Sequence, residues 1–322
     1  MTSLADRTHS ALAAGTLDLP AIGEATADRL AALIELAIDD VDLARLAEAH
    51  TDAVQILREA GTDAPAGRLL GVWASEHPKM QVTAVEGRGP ADPLTLTGTK
   101  PFCSGAGIVD EALVTVSTAA GPVLVRVPGE QLGPERIDAT GWKVAGLRDA
   151  RTATVDFEGI VIPADAVIGP PRWYLDRPGF WAGALAPAAC WAGAGIGLVR
   201  TAIREASDDP HALAHVGAMA ADERALRSLF ASAGREIDTR APDTVRWHIL
   251  ALEVRHVVDT LCADIEERFA RCLGPRSLAF DEAAADRRQA LSIYRRQCHG
   301  ERDLAALGAA VRRFERPRAG GT

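Results

Sequence analysis

Between Leu70 and Gly169 the apolar residues of this chain arrive in short runs punctuated by glycine, proline and threonine, whereas on either side they arrive at helical spacing. That switch of period constrains the fold more than any single motif. A run with a period of two residues builds one face of a strand, and a period near 3.6 builds one face of a helix. The short runs are Leu94 to Leu96, Ala112 to Val116, Pro122 to Val127, Thr154 to Phe157 and Ile160 to Ile162. A turn at Thr97-Gly98-Thr99 and a break at Gly105-Ala106-Gly107 bound a hairpin-like unit. Regular short strands with such punctuation predict a β-barrel-like or sandwich-like domain.

The flanks predict helices. Residues 24–60 carry Leu30, Leu33, Ile34 and Leu36 to Ile38 on one stripe, with Thr26 as a cap. A second helix begins near Val41 and stops at Gly61, a C-cap residue. After Pro178 the spacing predicts four long helices, at 180–206, 211–236, 243–272 and 281–313. Asp209-Pro210, Ala241-Pro242 and Gly274-Pro275 mark their joints. Four helices with short breaks and one apolar stripe each predict an antiparallel bundle. The fold class is α+β multidomain: a short N-terminal helical segment (1–69), a middle β-barrel-like domain (70–175), a C-terminal four-helix bundle (176–315) and a disordered tail (316–322).

Charge and cysteine usage narrow the function classes. The net charge is −9, from 35 basic and 44 acidic residues, which disfavours a polyanion partner. The longest apolar run, Ala182 to Val199, is broken by Pro187 and several glycines, so no membrane span is expected. The N-terminus lacks a basic head followed by an apolar core, and no secretion signal is read there. The five cysteines are scattered and form no Cys-x-x-Cys pair. Single buried thiols in a cytoplasmic protein are the expectation, rather than a disulfide framework or a zinc site.

Three stretches carry a family resemblance. They are GVWASEHP (Gly71 to Pro78), LTLTGTKPFCSGAGIVDEALVTV (Leu94 to Val116) and GLRDARTATVDFEGIVIPADAVIG (Gly146 to Gly169). In this order they resemble the strand segments of the acyl-CoA dehydrogenase family and of the flavin-dependent monooxygenases sharing its fold. The resemblance implies FAD as cofactor, an acyl-CoA or small-molecule substrate, and a homo-oligomer or a hetero-oligomer with a paralogue. It implies that Trp73 and Phe102 wall the flavin ring and that Ser75 and Ser104 touch its polar edge. Read alone, the aromatics are β-core residues and the serines turn residues. Glu76 is a turn cap or a mouth residue. Lys100 reads as a solvated strand residue, and Arg148 with Arg151 as a solvated pair or a phosphate contact.

In the bundle, His215 takes the place of a family glutamine that contacts the dinucleotide, or else is a helix histidine with a structural hydrogen bond. The family's Arg and Phe-Gly upstream, which reach the pyrophosphate, are replaced by Ser207-Asp208-Asp209-Pro210. Gly274 keeps one glycine of the family's Gly-Gly loop, and Arg276 is a possible phosphate contact. His50 and Asp52 face either a cleft or solvent.

The catalytic acid is the main departure. Dehydrogenation needs a carboxylate within reach of the substrate α carbon. Where the family places it, after Tyr294, this chain has Arg295 and Arg296, and arginine is no base at neutral pH. Glu205, on the first bundle helix, reads as exposed. Glu301 and His299 remain as displaced bases, against a solvated helix face. The stretch before Gly71 is also shorter than the family's N-terminal domain. Three readings follow. One is acyl-thioester CH-CH oxidation. Another is flavin-dependent monooxygenation, which needs no such base. The third is a non-catalytic paralogue acting as a partner subunit.

Overall fold

The structure, a computed structural model, describes residues 2–85 and 92–314. The tail expected at 316–322 lies outside the described residues. Its contacts group into two compact units, Met1–Leu19 with Asp40–Phe180 and Pro20–Asp39 with Trp181–Thr322. The residues before the β-stretch are thus shared between the two units rather than forming a segment of their own.

The first unit opens with α1 (Leu4–Ala13) and α3 (Val41–Glu59). Asp40 caps α3 by accepting the Leu43 N–H at 3.0 Å, and Gly61 follows its last turn with φ +71°. Its strands are β1 (Leu70–Trp73), β2 (Val82–Val85), β3 (Leu94–Cys103), β4 (Glu111–Thr118) and β5 (Gly121–Pro128). β6 (Ile137–Asp138), β7 (Ala153–Asp156), β8 (Ile160–Ile162) and β9 (Val167–Ile168) follow. A short α4 (Trp173–Asp176) ends the unit.

The strands pair as one mixed sheet in the order β6-β7-β3-β2-β4-β5-β9. β1 joins β4 in parallel, and β8 joins β3 in antiparallel fashion. β3 reaches two partners along one edge, β8 at its start and β7 at its end, because it is ten residues long. Among the described residues no pairing joins β6 to β9, so the expected barrel is an open, branched sheet. Ala53, Ile56 and Leu57 of α3 form its core with Leu70, Leu113, Leu124 and Ile168. Burying each such large aliphatic side chain contributes roughly 1.5–3 kcal/mol.

The second unit holds α2 (Thr26–Asp39), α5 (Phe180–Gly183, whose first residue is the last of the first unit) and α6 (Leu185–Glu205). It continues with α7 (Pro210–Thr239), α8 (Thr244–Phe280), α9 (Glu282–Tyr294) and α10 (Glu301–Phe314). α2 packs on α6 and α7, so the bundle recruits a helix from far upstream. Gly193 makes this possible: a Cβ there would lie 2.3 Å from the Ile34 carbonyl oxygen. α8 breaks at Gly274 (φ +70°, ψ −172°), the joint expected from Gly274-Pro275. The fourth expected helix, 281–313, is two helices separated at 295–300, where Gly300 takes φ +55°. Phe180–Glu205 is long and apolar enough to cross a membrane, and 89% of its most apolar window is buried, as in a core helix.

Candidate functional site

The ends of β1 and β3 bring four of the expected site residues together, in two different situations. β3 bulges between Lys100 and Cys103 where it pairs with β7. Phe102 sits in that bulge with φ +60°, a left-handed backbone that non-glycine residues seldom adopt. The bulge turns its ring outward, and Phe102 is 59% exposed while Pro101 and Cys103 on either side are buried. Trp73 is only 2% exposed. Its indole N–H donates to the Ser104 carbonyl at 2.9 Å, and its ring meets Phe157 edge-on at 6.4 Å. Phe102 therefore presents a face to solvent, whereas Trp73 is a buried core residue.

The two serines lock this corner. Ser75, half-buried, donates its hydroxyl to the Pro101 carbonyl at 2.6 Å, which leaves its oxygen as an acceptor for a ligand. Ser104 is buried and shares a 2.9 Å hydroxyl–hydroxyl bond with Thr152. Leu147 and Arg151 also have positive φ, a strained backbone for non-glycine residues, while Gly105 and Gly107 take it freely. Strained backbone of this sort persists where the surroundings over-determine it, commonly at functional sites. Here the Gly105 N–H is held by the Ala150 carbonyl at 2.7 Å, and the Ala150 N–H by Asp42 at 2.8 Å. Burial pushes the Asp42 carboxyl up to about 6, against the lowering effect of that backbone bond. Arg148 and Arg151 are exposed, as a solvated pair would be.

Lys100 departs from expectation. It is 1% exposed rather than solvated, because the alternation of β3 turns it inward between β1 and β4. Its ammonium donates to the Ser75 carbonyl at 3.1 Å and to Thr115 Oγ1 at 2.9 Å, with Glu76 Oε1 at 3.5 Å. His50 and Asp52 are also inward. His50 Nδ1 accepts the Leu70 N–H at 3.1 Å, and Asp52 pairs with the buried Arg177 at 3.1 Å. Glu59 holds the same guanidinium at 3.1 Å. Burial alone lowers the Arg177 affinity for its proton, and the two carboxylates outweigh it.

In the second unit, His215 lies on α7 and Gly274 at the break in α8. Cys272 Sγ contacts the Ala212 carbonyl at 3.6 Å, joining the end of α8 to the first turn of α7. His215 Nδ1 and Ser277 Oγ are each buried without a hydrogen-bond partner. Asp209 caps α7, accepting from the His211 and Ala212 N–H groups at 2.8 and 3.3 Å. Arg276 is exposed.

The connection from α9 to α10 shows what fills the expected place of the acid. Arg295 is bound by Asp259 at 2.7 Å and Glu266 at 2.8 Å, and Arg296 by Asp259 at 3.1 Å. Glu301 is exposed in the first turn of α10. His299 donates its backbone N–H to Asp303 at 3.0 Å, and its Nδ1 lies 3.4 Å from the same carboxylate. Sequence reasoning missed His248, whose ring stacks on Trp181 at 4.0 Å. Burial lowers its pKa, with Asp303 opposing. No motif surrounds it. All five cysteines are free thiols, and burial pushes Cys103 upward and so keeps it protonated.

No family model matches the chain, and no curated protein matches it. Solved structures do. It is similar to FMN-bound TdsC from Paenibacillus sp. A11-2, a dibenzothiophene monooxygenase, at 18% identity over 98% of this chain and 97% of that one (TM-score 0.76). KijD3, in complex with FMN and an amino-deoxysugar nucleotide, is 17% identical over 99% and 89% of the two chains (TM-score 0.80). Butyryl-CoA dehydrogenase from Megasphaera elsdenii is 17% identical over 88% and 81% (TM-score 0.73). The chain has the acyl-CoA dehydrogenase-like fold that its motifs imply.

Proposed function

We propose that this protein is a flavin-dependent oxidoreductase of the monooxygenase kind, acting on a small organic molecule with FMN. The flavin reading rests on the likeness to FMN-bound TdsC and KijD3 over nearly the whole chain, and on Phe102 locally. An isoalloxazine ring needs an apolar wall and a few polar partners at its edge. Phe102 supplies the wall, and Ser75 supplies an acceptor beside it. Trp73, Ser104 and Thr152 hold that corner rigid from behind. A bound flavin supplies two-electron redox chemistry at this wall. FMN is the flavin proposed because TdsC and KijD3 are each seen with FMN.

Arg295 carries the choice of reaction. An α-proton abstraction needs a base at this point of the fold, and the guanidinium there is neutralised by Asp259 and Glu266. Oxygen transfer to a small substrate needs no such base. Acyl-thioester dehydrogenation is the second reading, favoured by the likeness to butyryl-CoA dehydrogenase, with Glu301 or His299 as its displaced base. The free thiols fit a reducing compartment, so we place the protein in the cytoplasm.

The test is a flavin spectrum after reconstitution with FMN or FAD and desalting. Oxygen uptake with reduced FMN over a heteroaromatic panel follows, beginning with indole, which TdsC binds. FMN retention and substrate-stimulated oxygen uptake are expected. Anaerobic bleaching by butyryl-CoA that disappears in Glu301→Gln would overturn this in favour of dehydrogenation. No binding of either flavin, oxidised or reduced, would leave the partner-subunit reading.

A further inference from the structure

A lysine buried among backbone and hydroxyl groups needs a reason to be there, because taking an ammonium out of water is costly. Lys100 donates two hydrogen bonds and makes one ion pair within one small corner. Two of its partners, the Ser75 carbonyl and the Glu76 carboxylate, belong to the turn that leaves β1. The third, Thr115 Oγ1, belongs to β4 and passes its own proton on to Glu76 at 2.9 Å. Glu76 is itself mostly exposed, so its carboxylate is drawn inward by the ammonium and the hydroxyl together. The same turn carries the Ser75 hydroxyl onto the Pro101 carbonyl, and Pro101 is the residue before Phe102.

We propose that Lys100 is a positioning residue of the flavin site, its charged ammonium holding the Ser75-Glu76 turn against β3 and β4 so that Ser75 and Phe102 keep a fixed relation. This rests on the flavin reading above. The mechanism is electrostatic. The turn's carbonyl and carboxylate both point at one positive charge, and they lose their common partner when that charge is lost. Burial lowers the Lys100 pKa from 10.5. The titratable groups that face it are Glu76, from the adjoining turn, whose charge opposes the shift, and the Cys103 thiol of its own strand, which burial keeps protonated. Flavin affinity therefore falls on the alkaline side, with a midpoint below that of an ordinary lysine. Removing the Glu76 charge moves the midpoint lower still.

The experiment measures FMN dissociation constants from pH 7 upward for the wild type, Lys100→Arg, Lys100→Met and Glu76→Gln. Hydrogen exchange at residues 74–78 is read on the same proteins. An alkaline loss of affinity is expected in the wild type, shifted to lower pH in Glu76→Gln and absent in Lys100→Arg, which stays charged. Lys100→Met is expected to bind at least tenfold more weakly at pH 7 and to exchange faster at the turn. If the wild type binds FMN and the arginine variant shows the same alkaline loss, the proposal is wrong while the flavin reading stands. If no protein binds flavin, the exchange data decide. Faster exchange confined to the turn in Lys100→Met, or in Glu76→Gln if the methionine variant does not fold, keeps the positioning role and removes the flavin reading. Unchanged exchange removes the positioning role as well.

Discussion

Asp238, near the end of α7, accepts both the backbone N–H and the hydroxyl of Thr26, the first residue of α2, at 2.9 and 2.6 Å. The start of α2 is thus capped by a side chain from another helix. The Thr26 hydroxyl, expected from sequence to cap locally, instead accepts the Gly23 N–H at 2.9 Å. Asp238→Ala leaves two orphaned donors and should destabilise the protein by about 1–3 kcal/mol. Urea denaturation with an unchanged slope checks it, and Asp238→Asn should recover part of the loss.

Gly193 is the second tie of α2 to the bundle. Any Cβ at that position collides with the Ile34 carbonyl and the Ala37 side chain, and neither can swing away. Gly193→Ala is expected to cost about 1–3 kcal/mol, against the small gain that alanine ordinarily brings inside a helix. A melting temperature at or above that of the wild type would contradict this packing.

Phe102 separates stability from binding. Its ring is exposed, and its backbone is one that glycine adopts without strain. Phe102→Gly should therefore leave thermal stability within about 0.5 kcal/mol or raise it. Its FMN affinity should fall about tenfold, equivalent to about 1.4 kcal/mol. Fluorescence titration and a thermal melt on one preparation measure both.

Much of this could be read beforehand, and the failures share one cause. Strand runs such as Ala112 to Val116, the joint at Gly274-Pro275 and the cap at Gly61 were legible because their signals are local: period, turn residues, a glycine after a helix. The three stretches around Trp73, Phe102 and Phe157 meet in the fold, where Trp73 contacts the Ser104 carbonyl and the Phe157 ring. What was illegible depends on partners distant in sequence. Lys100 looked solvated because its charge argues for water, and nothing local reveals that the Ser75-Glu76 turn and Thr115 will give it partners. His50 and Asp52 were open between a cleft and solvent, and only their partners Leu70 and Arg177, distant in sequence, show that they face inward. His248 had no motif, since its stacking partner Trp181 is placed by a different helix. The break between α9 and α10 was hidden by an amphipathic pattern that resumes after Gly300.

Asp222 gives a pH dependence of known sign. Burial and the neighbouring Asp264 carboxylate raise its pKa from 3.8 to about 6, with Arg268 opposing. Between those values the folded protein holds a proton that the unfolded chain releases. The group's stabilising contribution is therefore present below about pH 4 and is lost as pH rises through 6. Asp222→Asn should be more stable than the wild type at pH 7.5, and this advantage should shrink or vanish near pH 4.5. Urea midpoints at the two pH values test it, and an advantage equal at both would sink the assignment.

The sharing of the first forty residues between the two units bears on how the chain is made. α2 emerges from the ribosome long before α6 and α7 exist, so Leu30, Leu33, Ile34 and Ala37 must wait without the surface that buries them in the finished protein. Neither unit is a contiguous stretch of chain. A nascent chain halted after Phe180 would carry the complete sheet and still display a bare apolar helix, which makes α2 a natural target for a holding chaperone during synthesis.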